Sequence, residues 1–133
     1  MSKVLNAGPP WAEAVKLRSE LEGAGWLSPD TYCRFFETPT NEPAVYLFML
    51  WDDETLGMRD ARAFVAYVGQ STKLAQRWTG HPVYAEINGP GVWVQRWFMP
   101  TEKPLLRARE RELIQRFDPP WNIVGRSRGV RLQ

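Results

Sequence analysis

Ala44-Val45-Tyr46-Leu47-Phe48-Met49-Leu50 is the stretch on which the fold turns. A short, nearly continuous apolar run of this kind is most simply a strand buried on both faces. The polar residues that follow, 51–62, include Asp52-Asp53-Glu54 and Gly57 and read as a loop. Ala63–Val68 is a second strand, stopped by Gly69. Two strands joined by a loop of this length favour an antiparallel pair. The loop is longer than a tight hairpin turn, which leaves room for a function of its own. Val92–Met99, rich in β-branched and aromatic residues, supplies a third strand.

Helical spacing fills the rest. Residues 1–8 read as a loose start, and Pro9-Pro10 lead into a helix over Trp11–Leu21, with Ala14, Leu17 and Leu21 on one side. Gly23 or Gly25 ends it. Residues 26–43, punctuated by Pro29, Pro39 and Pro43, read as an ordered connector that packs Trp26, Tyr32, Phe35 and Phe36. Ser71 is a good N-cap for a short helix over 72–79, with Leu74 and Trp78 facing the sheet. Gly80 closes that helix, His81 follows, and 82–90 reads as a loop or a further short helix. Thr101 caps a last helix with Pro104 in its first turn. Leu106, Leu113, Ile114 and Phe117 form its apolar stripe, and Asp118-Pro119-Pro120 ends it. The expected fold is α+β: a small three-stranded antiparallel sheet flanked by helices, with an extra N-terminal helix. Residues 1–43 form a helical extension packed on the core, 44–124 the core, and 125–133 a basic tail.

Composition narrows the classes. At 133 residues the chain fits one domain with a single core. The only cysteine, Cys33, excludes an internal disulfide framework and a thiolate zinc cluster. No apolar run approaches the roughly 18 residues of a membrane span. The start of the chain lacks a secretory pattern, so a cytoplasmic protein with no membrane partner is expected. Net charge is only +2, but Arg107, Arg109, Arg111, Arg116, Arg126, Arg128 and Arg131 make the last third basic. That distribution suits a polyanion, although a solvated face plus a frayed tail would carry the same charges.

A few polar residues ask for a reason. Glu110 falls on the apolar stripe of the last helix, whereas Glu112 is turned away by about 200°. A carboxylate on such a stripe must be paired, hydrogen-bonded, protonated or metal-bound. One reading is a buried pair with an arginine such as Arg77. The other is a ligand for a hard divalent cation, which takes oxygen donors and often only one or two carboxylates. Arg77 can grip two phosphate oxygens or serve as an exposed helix arginine. His81, the only histidine, can move a proton near neutral pH or sit in a surface loop. Tyr46 and Tyr67 lie on neighbouring strands, where tyrosines are usually core with a wet hydroxyl. Asn122, after Pro-Pro-Trp, can cap a turn.

Order and spacing add what single residues do not. Tyr46-x-Phe48, then Tyr67-Val-Gly-Gln-Ser, then Arg77, then Glu110-x-x-Leu-Ile-x-x-Phe-x-Pro-x-x-Asn122 resembles the GIY-YIG nuclease superfamily over residues 44 to 122. In that resemblance Ala44-Val45-Tyr46 and Tyr67-Val68-Gly69 are the two signature triplets, with Ala44 in place of the usual Gly and Val68 in place of Ile. Arg77 matches the family arginine, His81 a position held by Tyr or His, Glu110 the metal-binding glutamate and Asn122 the terminal asparagine. Residues 1–43 are not covered.

The resemblance implies a DNA endonuclease dependent on Mg²⁺ or Mn²⁺ held by Glu110. Tyr46, assisted by His81 or Tyr67, would take the proton of the attacking water. Arg77 would stabilise phosphorane-like charge, and Asn122 would fix local geometry or a substrate contact. Lys73, Arg109, Arg126 and Arg128 are the expected DNA contacts. The rival readings are a nucleic-acid-binding module that does not cut and a small structural or inhibitory protein. Target sequence is left open, as is the choice between monomer and homodimer.

Overall fold

The structure is a computed structural model and describes residues 11–31 and 40–122. Strands β1 (Ala12–Glu13), β2 (Ala44–Asp52), β3 (Arg62–Ser71) and β4 (Val92–Pro100) form one antiparallel sheet in the order β1-β3-β2-β4. Five helices or helical turns matter here: α1 (Ala14–Gly23), α2 (Leu74–Trp78), α3 (Pro82–Ile87), a 3₁₀ turn over Lys103–Leu105 and α4 (Leu106–Phe117). The class is α+β, as the sequence implies.

The count of three strands is corrected to four. The extra strand lies inside the stretch read wholly as helix: Ala12 pairs with Ala63 and Glu13 with Arg62 before α1 begins at Ala14. The helical period is carried by Ala14, Leu17 and Leu21, and a two-residue strand has no period of its own to detect.

All nine residues of β2 are buried, and the sheet carries a core on each face. Val45, Leu47, Met49 and Trp51 face α1 and α4, packing with Leu21, Leu106 and Trp97. Tyr46, Phe48 and Leu50 face the other way, toward Leu74 and Trp78 of α2 and Ile87 of α3. The stripe Leu113, Ile114 and Phe117 packs on the first core, as its spacing predicts.

Two expected caps are replaced. Ser71 ends β3, and its Oγ accepts the Lys73 N–H at 2.9 Å rather than starting a helix. The first N–H groups of α2 go instead to the Glu42 and Thr40 carbonyls and to Asn41 Oδ1. Thr101 donates to the Met99 carbonyl, and Pro104 lies in the 3₁₀ turn ahead of α4. At α2 longer-range partners override local cap propensity, whereas at Thr101 the hydroxyl is spent on a carbonyl two residues back.

The sheet edges are covered in part, which shortens the unpaired ladder that invites edge-to-edge association. On β4, Leu27 and Phe98 exchange backbone hydrogen bonds of 2.9 and 2.8 Å, and Asp30 accepts the Arg96 N–H. On β3, β1 and the side chain of Asn122 do the same work. No helix among the described residues is long and apolar enough to cross a membrane.

Candidate active site

Tyr46 stands at the centre of the site. Its neighbour across the sheet is Gly69, and its ring fills the space a side chain there would need. The phenol reaches His81, with Oη 2.8 Å from Nε2, and both residues are buried, at 1% and 2% exposure. His81 is there because Gly80, with φ of +67°, turns the chain out of α2, and His81 then caps α3.

That cap fixes the histidine's proton. Nδ1 accepts the Val83 N–H at 3.1 Å, so it presents a lone pair and carries no hydrogen. Burial, and next the Arg77 charge, push the His81 pKa down to about 4, so the ring is neutral near pH 7. A neutral ring without a proton on Nδ1 holds it on Nε2. Nε2–H therefore donates to Tyr46 Oη. His81 is a donor to the phenol, not a base waiting to receive its proton.

Tyr67 reaches the same face through a β-bulge. Phe48 pairs with Tyr67, but Met49 pairs with Val65, leaving Ala66 as the extra residue. Strict alternation from Phe64 and Ala66 would send Tyr67 to the opposite core. The bulge returns it to the Tyr46 side, the kind of re-aiming that bulges provide beside functional sites. The Tyr46 and Tyr67 rings are 6.3 Å apart, and Tyr67 and His81 are 5.4 Å apart.

Arg77 and Glu110 complete the group. Burial raises the pKa of both phenols; the Arg77 charge pulls both down and the Glu110 charge pushes both up. On Arg77, burial acts to lower the pKa, but the two phenols outweigh it and the net shift is upward. Arg77 is on an exposed face of its helix, while Leu74 and Trp78 point inward, as their spacing predicts. Glu110 does not pair with Arg77. Its Oε1 accepts a 3.0 Å hydrogen bond from Gln70 Nε2, and Oε2 makes no hydrogen bond among the described residues. A neutral amide thus answers the desolvation question, in place of the arginine or metal that a carboxylate on an apolar stripe suggests.

Asn122 is fully engaged by the backbone. Oδ1 accepts the Val68 N–H at 2.8 Å and Nδ2 donates to the Val68 carbonyl at 2.9 Å. The amide thus pairs with β3 as a strand would, and fixes local geometry.

The expected DNA contacts divide. Lys73 joins Arg77 in an open hollow of about 340 Å³ with Ser71, Thr72 and Gln76. Arg109 lines a separate hollow, with Trp26, Val45, Met99 and Glu112, on the α1/α4 face of the sheet. Arg126 and Arg128 lie outside the described residues, as does the tail from 125 onward. A further charged element was not legible: Asp30 grips Arg96 through Nε and Nη2, both at 2.8 Å, and the guanidinium lies 5.1 Å from the Trp78 ring. Only an isolated Asp and an isolated strand Arg stand in the sequence.

A hard divalent cation is a chemical fit for Glu110. One carboxylate oxygen is a small donor set, but Mg²⁺ commonly keeps several waters and is completed by substrate phosphate. No group of three or more His, Cys, Asp or Glu that could hold a metal forms among the described residues, so Glu110 would act alone. In comparisons with known proteins, no family model, curated protein or solved structure matches the chain.

Proposed function

We propose that the chain is a divalent-metal-dependent DNA endonuclease of the GIY-YIG type, hydrolysing phosphodiester bonds in one step. The observation that carries this reading is the gathering of two phenols, a guanidinium and a carboxylate into one field around Tyr46 Oη, with His81 donating to that oxygen. The sequence resemblance names these same residues, and their grouping around one phenol supports the reading.

When bound at Glu110, Mg²⁺ or Mn²⁺ supplies positive charge to the scissile phosphate and the leaving 3′ oxygen. The protein's own residues do the rest. Tyr46 is neutral at rest, because burial raises its pKa. Tyr46 first gives up its proton to solvent; as phenolate it takes the proton of the attacking water while the water oxygen bonds to phosphorus, and the 3′ oxygen departs and picks up a proton from solvent. Nε2–H of His81 and the charge of Arg77 stabilise that phenolate. Arg77, open to the hollow it shares with Lys73, also meets the charge on the non-bridging oxygens. Tyr67 crowds Tyr46 with a second phenol that resists ionising, which leaves a single base.

Nicking of supercoiled plasmid in Mg²⁺ and in EDTA tests the proposal. Wild type nicks only with metal, and Glu110→Ala does not nick. Salt-sensitive DNA binding without cleavage under any metal would assign the scaffold to a binding module instead.

A further inference from the structure

We infer that Gln70 is a positioning residue that aims Glu110 at its cation, an inference that rests on the proposed nuclease reading. The contact is specific. An ionised carboxylate only accepts hydrogen bonds, so the Gln70 amide must present its NH₂ group, and Nε2 reaches Oε1 at 3.0 Å. This bond occupies one oxygen and leaves Oε2 for a ligand. It also orients the carboxylate without neutralising it, which a lysine or arginine in the same place would do.

The amide is itself held on a rigid platform. Gln70 pairs with Val45 of the fully buried β2, and two residues earlier Asn122 clamps both backbone groups of Val68. Glu110 projects from α4, so the hydrogen bond ties the end of a strand to a helix forty positions later. Outer-shell partners of this kind fix the rotamer of a ligating side chain, and losing one typically weakens metal affinity by about 10- to 100-fold.

Gln70→Met keeps length and volume but removes the donor. Terbium(III), a hard oxygen-seeking cation excited through nearby phenols, reports binding without turnover. For Gln70→Met the terbium midpoint and the half-saturating Mg²⁺ concentration for nicking both rise roughly 10-fold, with an unchanged melting temperature. Glu110→Ala loses site-bound terbium luminescence. Midpoints in Gln70→Met equal to wild type overturn the inference, and so does a wild type whose luminescence Glu110→Ala leaves intact. A wild type that binds terbium at Glu110 but never nicks sinks the nuclease reading, while the shifted terbium midpoint still supports the role of Gln70.

Discussion

The phenol of Tyr46 lies across the α-carbon of Gly69: a Cβ built there would fall 2.5 Å from both Cζ and Oη. The ring cannot swing aside, because Trp78 and His81 meet it edge-on and Tyr67 lies alongside. Gly69→Ala therefore displaces Tyr46 from His81. The expected destabilisation is about 1–3 kcal/mol, the usual range for an overpacked core, and nicking falls sharply. A denaturant melt read beside the nicking assay checks both, and an alanine variant with native stability and full activity would contradict the contact.

Tyr46→Phe keeps the ring and removes the oxygen. The His81 Nε2–H is then buried without an acceptor, which costs about 1–3 kcal/mol. Cleavage is lost while DNA binding persists. In wild type the rate rises with pH through roughly the 6 to 9 range, because a phenol with a raised pKa supplies more phenolate at each step. A flat profile, or an active Tyr46→Phe variant, would remove Tyr46 from the role of base.

His81 also sets an acid limit on stability. Its folded pKa is about 4 against an ordinary 6.5. Between those values the unfolded chain binds a proton that the folded chain refuses. Stability from this group is therefore complete above pH 6.5 and declines as pH falls toward 4, by up to about 3 kcal/mol at roughly 1.4 kcal/mol per pH unit. His81→Gln lacks this component. Melts at stepped pH on the two proteins show whether the difference in slope falls in that window.

Asn122 separates shape from charge. Its amide offers Val68 one acceptor and one donor. Asn122→Asp keeps the acceptor but turns a second oxygen toward the Val68 carbonyl. Asn122→Ala leaves the Val68 N–H unpaired. Each variant is expected to lose about 2–4 kcal/mol, from two buried hydrogen bonds. Aspartate should be no better than alanine, and an aspartate variant as stable as wild type would show that the amide donor contributes nothing.

The sequence made some of this legible and concealed the rest for physical reasons. β2 announces itself because burial on both faces leaves an unbroken apolar run. Glu110 stands out because a charge on an apolar stripe needs a partner, yet the partner found is Gln70, a neutral residue that no charge count singles out. Tyr67 joins Tyr46 only because Ala66 is bulged, and a bulge moves a residue between faces without any mark in the apolar pattern. The strand β1 is two residues long and has no period. Asp30 and Arg96 are 66 positions apart, so nothing local links them. The direction of the Tyr46–His81 hydrogen bond depends on the Val83 amide, a contact that exists only in three dimensions.

In the proposed function Glu110 and Tyr46 act together on a phosphodiester. Single-turnover cleavage of a mixed DNA pool in Mg²⁺, with sequencing of the ends, is the decisive comparison of wild type, Tyr46→Phe and Glu110→Ala. Wild type is expected to leave 5′-phosphate and 3′-hydroxyl ends, and both variants to leave the DNA intact. Equal cutting by either variant, or intact DNA with all three proteins, would contradict that joint action.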